Sequence, residues 1–531
     1  MFVKVFSLLF TLNRICYGLY LKESLEMMKS LSFFVAWGIL YLVNLLTPMN
    51  LIHQVNFVTI LGLAGLYNPL KLSGKAYLIW LMCGLIFALG SYFIEVKSLF
   101  VSGFIGYLAI AWALQKPEPK QLGKLIILCG GIMNLFVIIS TAHTDIQYDF
   151  ASCYNYIQFV ADMNFKFWTQ NPIGTYPSYS SYHPILHFFL GALALEGGLS
   201  LTDNLQAANE AMQILFLGYM VWYYILCDKI LSLFNLRPLA YLGGLLFICC
   251  FPLYNAIAGF FNNDCLLLPL QAGMIYYTLL YFKNGGIKNL VWIWNFTTLG
   301  ALTKLSVILI LPFTGILLLW RLCSHKQEFK QLALFGICLL LGLMIWPLYQ
   351  HYMLGVGASF VPPQEHLSLK SYTLWERFNP LGTFFYADRY YHDFGINLWE
   401  TMTKTALFGQ WDFTNRIHNF ALLLSPFIFC YKILLLFMWM GTVWLAFKRN
   451  KQIYLPLLLA GGILLGHIAF GLVHPYMCNQ DFRYVGILTL PMALILSFII
   501  DKTPKYISYL IFICVGIFAL LSMLIWGRVM L

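Results

Sequence analysis

Long apolar segments are the dominant pattern of this chain. They recur from Leu31 to Trp526, with short polar stretches between them. A transmembrane helix needs roughly 20 apolar residues to cross a hydrocarbon core of about 30 Å. The pattern therefore predicts an all-α polytopic membrane protein with about fifteen spans. The first five predicted spans cover residues 31–47, 51–67, 76–94, 98–114 and 122–142.

Basic residues cluster between the apolar segments, and such clusters stay on the cytoplasmic side of a membrane. They are Lys71 with Lys75, residues 116–124, Lys229 with Arg237, Lys283 with Lys288, residues 321–330, residues 448–451, and Lys502 with Lys505. The clusters share one side only if the apolar piece 184–199 does not cross the bilayer, so we predict an interfacial or re-entrant helix there. Short spans then flank Thr303 and Lys304. Two large polar loops, 143–183 and 355–418, emerge together on the extracytoplasmic face.

Composition agrees with a membrane protein and narrows its class. Hydrophobic residues make up 60% of the 531 positions and charged residues 10%, whereas a soluble domain carries about 25% charged residues. The 32 Lys plus Arg against 21 Asp plus Glu give a net charge of +11. In a membrane protein the basic residues set the topology, so this charge does not indicate nucleic-acid binding. Most of the 13 cysteines lie in apolar runs without C-x-x-C spacing, which indicates packing residues. We expect a multi-pass protein of a bacterial plasma membrane.

The first outer loop begins with two carboxylates, Asp145 and Asp149, directly after a predicted span. Apolar residues then recur at four-three-four-three spacing, which predicts one face of a helix lying flat on the bilayer. These residues are Ile146, Phe150, Cys153, Ile157 and Val160. Asp149 and Tyr156 are seven positions apart and share one side of this helix, where a carboxylate could act as a general base. The alternative is that both acids only cap or solvate the helix start.

Several short patches follow one another in order along the chain. They are Asp149 with Cys153 and Tyr156-Ile157, Tyr182-His183-Pro184-Ile185-Leu186, Phe261-Asn262-Asn263-Asp264-Cys265-Leu266-Leu267, Ala301-Leu302-Thr303-Lys304-Leu305-Ser306, and Asp481-Phe482-Arg483-Tyr484 leading into Leu490-Pro491. In this order they resemble the multi-spanning glycosyltransferases of the GT-C type, in particular the protein O-mannosyltransferase-like and aminoarabinose-transferase-like group. The sequence departs from that group where Phe150 replaces a second acid and Ile185 a second proline.

The resemblance implies transfer of a hexose or pentose from a polyprenyl-phosphate carrier to a glycan, lipid or protein acceptor, with inversion at the anomeric carbon. Asp149 would take the proton of the acceptor hydroxyl, with Asp145 as the alternative base. The leaving phosphate needs a cation, and Arg483 is the best candidate. Lys304 is costly when unpaired in a membrane, so it is paired, snorkelling or functional near the phosphate. Further candidates for substrate binding are Tyr156, Tyr182, His183, Asp264, Arg389 and Tyr484, of which Asp264 could equally cap a span.

The second outer loop alternates aromatic and charged residues. Its aromatic residues are Trp375, Phe378, Phe384, Phe385, Tyr386, Tyr390, Tyr391, Trp399 and Trp411. Such rings either bind sugars or form an interfacial belt. His143, His183 and Asp149 have no spacing that demands a metal, so we predict no structural metal and no cofactor, leaving a divalent cation open.

The resemblance divides the chain into three parts and leaves other classes open. Residues 1–121 form membrane spans added to a GT-C-like module at 122–500, and 501–531 form a C-terminal span. A solute transporter is the main alternative, although transporters concentrate charges at midplane in broken helices, whereas here acids and arginines gather in outer loops. A lipid-linked polysaccharide polymerase or ligase is the second alternative, and a structural membrane subunit the third.

Overall fold

The computed structural model describes residues 118–140, 150–166, 182–201, 204–258, 261–356, 365–381, 395–409 and 421–529. Within these ranges the chain is helical and forms no β-strand. The α-helices are α1 (Pro119–Ser140), α2 (Phe150–Asp162), α3 (Leu186–Leu199), α4 (Leu205–Ser232), α5 (Pro238–Cys249), α6 (Pro252–Ala258), α7 (Asp264–Asn284), α8 (Ile287–Ala301), α9 (Leu311–Ser324), α10 (Phe329–Met353), α11 (Leu374–Phe378), α12 (Leu398–Phe408), α13 (Ala421–Phe447), α14 (Tyr454–Val473), α15 (Thr489–Lys502) and α16 (Lys505–Val529).

Short 3₁₀ segments extend or connect several of these helices. They are Lys326–Glu328, Glu365–Leu367, Leu305–Ile310 before α9, Lys451–Ile453 before α14, and Met477–Gln480 with Phe482–Leu488 before α15. The last of them is broken by non-helical backbone at Val485 (φ −118°, ψ 22°).

Eight helical segments of the described chain are long and apolar enough to cross a membrane, or nine if α5 and α6, bent by 42°, form one span. The eight are Met212–Ser232, Asp264–Asn284, Leu305–Ser324, Lys326–Met353, Leu424–Phe447, Lys451–Val473, Met477–Lys502 and Lys505–Trp526. The predicted all-α polytopic membrane protein is confirmed. The predicted spans between 31 and 114 lie outside the described residues, so the total of about fifteen stays a prediction.

Helix α3 occupies the apolar piece that was not expected to cross the bilayer. Its 14 residues give a length of about 21 Å, less than the roughly 30 Å of a hydrocarbon core. The helix is held close to α2, because a Cβ added at Gly191 would lie 3.0 Å from the Ile157 side chain. A short helix at this place agrees with the prediction.

Helix α2 confirms part of the predicted amphipathic helix and corrects its environment. The stripe formed by Cys153, Ile157 and Val160 is buried. It packs against α3 and the helices next to it. The stripe that we expected to rest on the bilayer therefore faces protein, since a fully buried side chain does not contact lipid.

The described basic residues of the predicted cytoplasmic clusters lie at one end of the bundle. Arg321 donates to the carbonyl oxygen of Phe282 near the end of α7 over 3.1 Å, and Arg237 pairs with Asp501 near the end of α15. The start of α7, at Asp264, lies about 30 Å away along the helix axis. We call the end that carries Arg321 and Arg237 the basic end, and the end that carries Asp264 the loop end. This segregation is what the predicted cytoplasmic clusters require.

Part of the loop predicted at residues 355–418 packs back onto the loop end. The backbone N–H of Leu369 donates to the Pro475 carbonyl oxygen over 2.7 Å, and Arg377 donates to the Gly471 carbonyl oxygen over 2.5 Å. In the exposed turn between them, hydrogen bonds from Thr373 lower the pKa of Glu376 below its ordinary value. The loop thus covers the end of α14.

Helix α12, which belongs to the same loop, is inserted into the bundle. It begins where the Asn397 side chain accepts from the N–H groups of Trp399 and Glu400, and it ends at Gly409, whose φ of 62° suits glycine. Ten of its eleven residues are buried. Trp526 near the end of α16 donates to a carbonyl oxygen of α12, at Leu407, over 3.3 Å. The sequence pattern predicts a surface loop here, and this insertion corrects that prediction.

Candidate functional site

The first element of the site is the start of α7. The side-chain oxygen of Asn262 accepts a hydrogen bond from the Asp264 N–H over 3.0 Å, so Asn262 satisfies a backbone donor of the first turn. Asn263 donates from its amide to the carbonyl oxygen of Thr303 over 3.1 Å. Two adjacent asparagines therefore fix Asp264 and attach the start of α7 to the break after α8.

The second element is that break, which carries Lys304. The N–H groups of Thr303 and Lys304 both bond to the Gly300 carbonyl oxygen, at 2.9 and 2.7 Å, and Lys304 then adopts an extended backbone (φ −163°, ψ 133°). A glycine is required at 300 because a Cβ there would lie 2.6 Å from Val307. The predicted interruption between two short helices is thus present at the expected residues.

Lys304 and Asp264 form a buried ion pair. The Lys304 Nζ lies 2.6 Å from Asp264 Oδ1, and the side chains are only 8% and 1% exposed. Lys304 also lies over the ring of Tyr484, 4.5 Å from its centroid. Of the three alternatives for Lys304, pairing is therefore correct and snorkelling is wrong, because a snorkelling ammonium would be exposed.

The third element is the 3₁₀ segment that contains Arg483. Asp481 caps it by accepting from the Arg483 N–H over 2.9 Å. The other carboxylate oxygen of Asp481 lies 3.2 Å from Arg483 Nε. The Arg483 guanidinium lies 5.4 Å from the Tyr484 ring centroid. Tyr484 thus contacts both cations of the site.

These elements surround a narrow cleft with one polar and one apolar side, which has room for about one water molecule. It is lined by Leu253, Ala256, Ile257, Asn262, Asp264, Gly409, Asp481 and Arg483. The apolar wall comes from α6, and the polar wall from the starts of α7 and of the Arg483 segment. Lys304 does not line the cleft. The cleft lies at the loop end, because Asp264 is the first residue of its span.

Helix α12 holds the Arg483 segment in place. The hydroxyl oxygen of Thr405 accepts from the Phe482 N–H over 2.8 Å and donates to the Thr401 carbonyl oxygen over 2.8 Å. Gln480 donates to the Ile396 carbonyl oxygen over 3.0 Å. The signal for this role was the alternation of threonines at 401, 403 and 405 with other residues of the helix.

The Tyr182–Leu186 patch meets the same region from another side. Leu186 N–H donates to the carbonyl oxygen of Leu302 over 2.8 Å, and the Tyr182 carbonyl oxygen accepts from Gln350 over 3.1 Å. His187, which sequence analysis did not single out, contacts the Phe261 carbonyl oxygen through Nε2 over 3.3 Å. His183, next to Tyr182, is half-buried.

The remaining predicted site residues are not gathered at the cleft. Tyr156 is fully buried, and its ring centroid lies 4.7 Å from that of Phe188, so it packs in the core. Asp145, Asp149 and Arg389 lie outside the described residues. His143 lies outside them too. In the described part of the chain, no three His, Cys, Asp or Glu side chains come together as metal ligands.

Fold and site together define a polytopic helical membrane protein with a buried ion pair, Lys304–Asp264, and a partly buried one, Arg483–Asp481, at the loop end of its spans. No family model, curated protein or solved structure matches the chain.

Proposed function

We propose that this protein is an inverting membrane glycosyltransferase, which moves a sugar from a polyprenyl-phosphate carrier to an acceptor at the extracytoplasmic face. The observation that supports it most is the cleft, where Arg483 and two carboxylates face an apolar wall at the loop end. The guanidinium of Arg483 supplies the positive charge that a lipid phosphate at this end of the spans would need.

In this proposal Arg483 binds the phosphate. A guanidinium presents several N–H donors in a plane and matches phosphate oxygens. It would stabilise the negative charge that grows on the leaving phosphate as the sugar moves to the acceptor. No acid is needed to protonate that group, because a lipid phosphate is already stable as an anion.

The acceptor hydroxyl needs a base as its new bond forms. Asp149 keeps this role in the proposal, with Asp145 as the alternative, on the resemblance described above. Tyr182, His183 and Tyr484 remain candidates for contacts with substrate, and Arg389 is a candidate from the second outer loop. The acceptor itself can be a glycan, a lipid or a protein.

A direct test uses the purified protein in nanodiscs. Polyprenyl phosphate carrying a radiolabelled hexose or pentose is added with a cell-envelope extract, and the label is followed into new products. We expect label to leave the lipid with the wild-type protein and much less with Arg483→Ala. A wild-type protein that binds no polyprenyl-phosphate sugar and transfers no label would contradict the proposal.

Solute transport is the second candidate, and one observation favours it. Helices α5 and α6 meet at a 42° bend, and the cleft lined by α6 also contains Asp264 of a buried ion pair. Bent helices beside buried charges are a feature of transporters. Substrate-dependent solute flux in proteoliposomes, without sugar transfer, would favour this alternative.

A further inference from the structure

The two carboxylate oxygens of Asp264 have different surroundings. Oδ1 lies 2.6 Å from Lys304 Nζ. Oδ2 is buried and has no hydrogen-bond partner among the described residues. A buried carboxylate oxygen without a donor costs free energy, and Asp264 is one of the residues that line the cleft. Oδ2 is therefore a hydrogen-bond acceptor that no described residue satisfies.

Lys304 occupies a different position from Arg483. It does not line the cleft, whereas Arg483 and Asp264 do. Its ammonium is enclosed by the Asp264 carboxylate and the Tyr484 ring, with 8% of the side chain exposed. Because Lys304 does not line the cleft, it is less well placed than Arg483 to contact a phosphate bound there.

We infer that Asp264 Oδ2 accepts a hydrogen bond from a sugar hydroxyl in the cleft, and that Lys304 is a positioning residue that holds Asp264. The inference rests on the proposed function and deepens it. Of the two cations, Arg483 binds the lipid phosphate and Lys304 does not. The hydroxyl belongs either to the sugar of the donor or to the acceptor, because both present the same donor group.

The test compares two lipids in nanodiscs: bare polyprenyl phosphate and the same lipid carrying its sugar. Lys304→Met should leave the affinity for the bare lipid within about twofold of wild type, while Arg483→Ala should weaken it about tenfold or more. Loss of bare-lipid affinity in Lys304→Met would overturn the inference, because it would make Lys304 a phosphate ligand.

Asp264→Asn separates the two sources of the hydroxyl. If the donor sugar supplies the hydroxyl, the preference of this variant for the sugar-bearing lipid over the bare lipid should fall about tenfold. If the acceptor supplies it, the KM for the acceptor rises about tenfold and donor binding is unchanged. An Asp264→Asn protein with normal donor preference and normal acceptor KM would overturn the inference while leaving the proposed function intact.

Removing one member of a buried ion pair destabilises a protein, so a further variant keeps the test decisive. Asp264→Asn combined with Lys304→Met removes both charges. Since the two residues act as a unit, the double variant should be no worse in sugar discrimination or acceptor KM than either single variant. Additive defects would contradict a positioning role for Lys304.

Glu328→Gln is the matched control for these variants. It breaks the Arg321–Glu328 pair, which has a 2.7 Å contact at the basic end, and it should leave lipid binding and transfer unchanged. If the wild-type protein binds neither lipid, the proposed function is wrong and the inference falls with it.

Discussion

At the scale of the residue, the charges buried at the loop end are tolerated because they are paired. Lys304 and Asp264 are 40 positions apart in sequence, yet each offsets part of the cost of burying the other. Removing one partner of a buried pair typically costs about 3–5 kcal/mol. The sequence showed that an unpaired Lys304 would be costly, but no periodic pattern identified Asp264 as its partner.

The first prediction concerns Arg483. Arg483→Ala removes a charge-assisted contact to the carrier phosphate in both the ground state and the transition state, so donor affinity and turnover should both fall, by about tenfold or more. Lipid binding and product formation are measured side by side. Arg237→Ala is the control, because this arginine pairs with Asp501 at the basic end. Normal donor affinity in Arg483→Ala would remove Arg483 from the phosphate site.

The second prediction separates proton transfer from phosphate binding. Asp149→Asn keeps the side-chain volume but removes the proton acceptor, so turnover should fall by about 10²- to 10⁴-fold while donor binding survives. Full transfer activity in this variant would pass the role to Asp145. Full activity in the double variant of Asp145 and Asp149 would refute the proposed base. Solute transport would then be favoured over sugar transfer.

At the scale of the element, breaks in helices position the site. The Asn262–Asn263 pair starts α7, the Gly300 carbonyl oxygen holds the backbone before Lys304, and Asp481 caps the Arg483 segment. Each of these features is local, and sequence analysis singled out the stretches that contain them. Their meeting depends on long-range packing, which a pattern in one sequence does not encode.

The insertion of α12 shows the limit of pattern-based prediction most clearly. Its predicted loop contains many aromatic and charged residues, and the composition favours an outer surface. The structure instead buries Thr401, Thr403 and Thr405, along with Lys404. Threonine hydroxyls can bond to the backbone of their own helix, which allows a polar helix to enter a bundle without leaving its side chains unpaired.

The third prediction tests whether α12 positions Arg483. Thr405→Val removes the acceptor of the Phe482 N–H, so we expect the free energy of unfolding to drop by about 1–3 kcal/mol. Because Arg483 follows Phe482, donor affinity should weaken as well. Thr405→Ser retains the hydroxyl and should restore both properties. Melting temperature and lipid binding are measured for each variant.

Thr403→Val is the control for Thr405→Val. Thr403 is also buried in α12, but its hydroxyl donates to the Trp399 carbonyl oxygen within the same helix, over 2.8 Å. It makes no contact with the Arg483 segment through that bond. Equal loss of donor affinity in Thr403→Val and Thr405→Val would mean that α12 acts only through general stability.

At the scale of the whole molecule, the separation of charge along the spans connects topology with function. Asp264, Lys304 and Arg483 lie near the first residues of three spans whose other ends carry Lys283, Arg321 and Lys502. A charged site near a span end costs less than one at the bilayer centre. The charge pattern predicted that the basic clusters of the described spans share one end, and the side of the membrane that this end faces stays a prediction.

The last prediction tests which side of the membrane each end faces. Lys370 is exposed in the second outer loop, and the native Cys323 is exposed beside Arg321 at the basic end. If the basic end is cytoplasmic, an impermeant maleimide added to intact cells should label Lys370→Cys in a Cys323→Ser background. The wild-type protein should become labelled at Cys323 only after the cells are opened. Asp149→Cys and Arg389→Cys, in the same background, should behave like Lys370→Cys. Labelling of Lys370→Cys from the cytoplasmic side would put the cleft on the wrong face for an extracytoplasmic transferase, and opposite accessibility of Asp149→Cys and Lys370→Cys would separate the proposed base from the phosphate site.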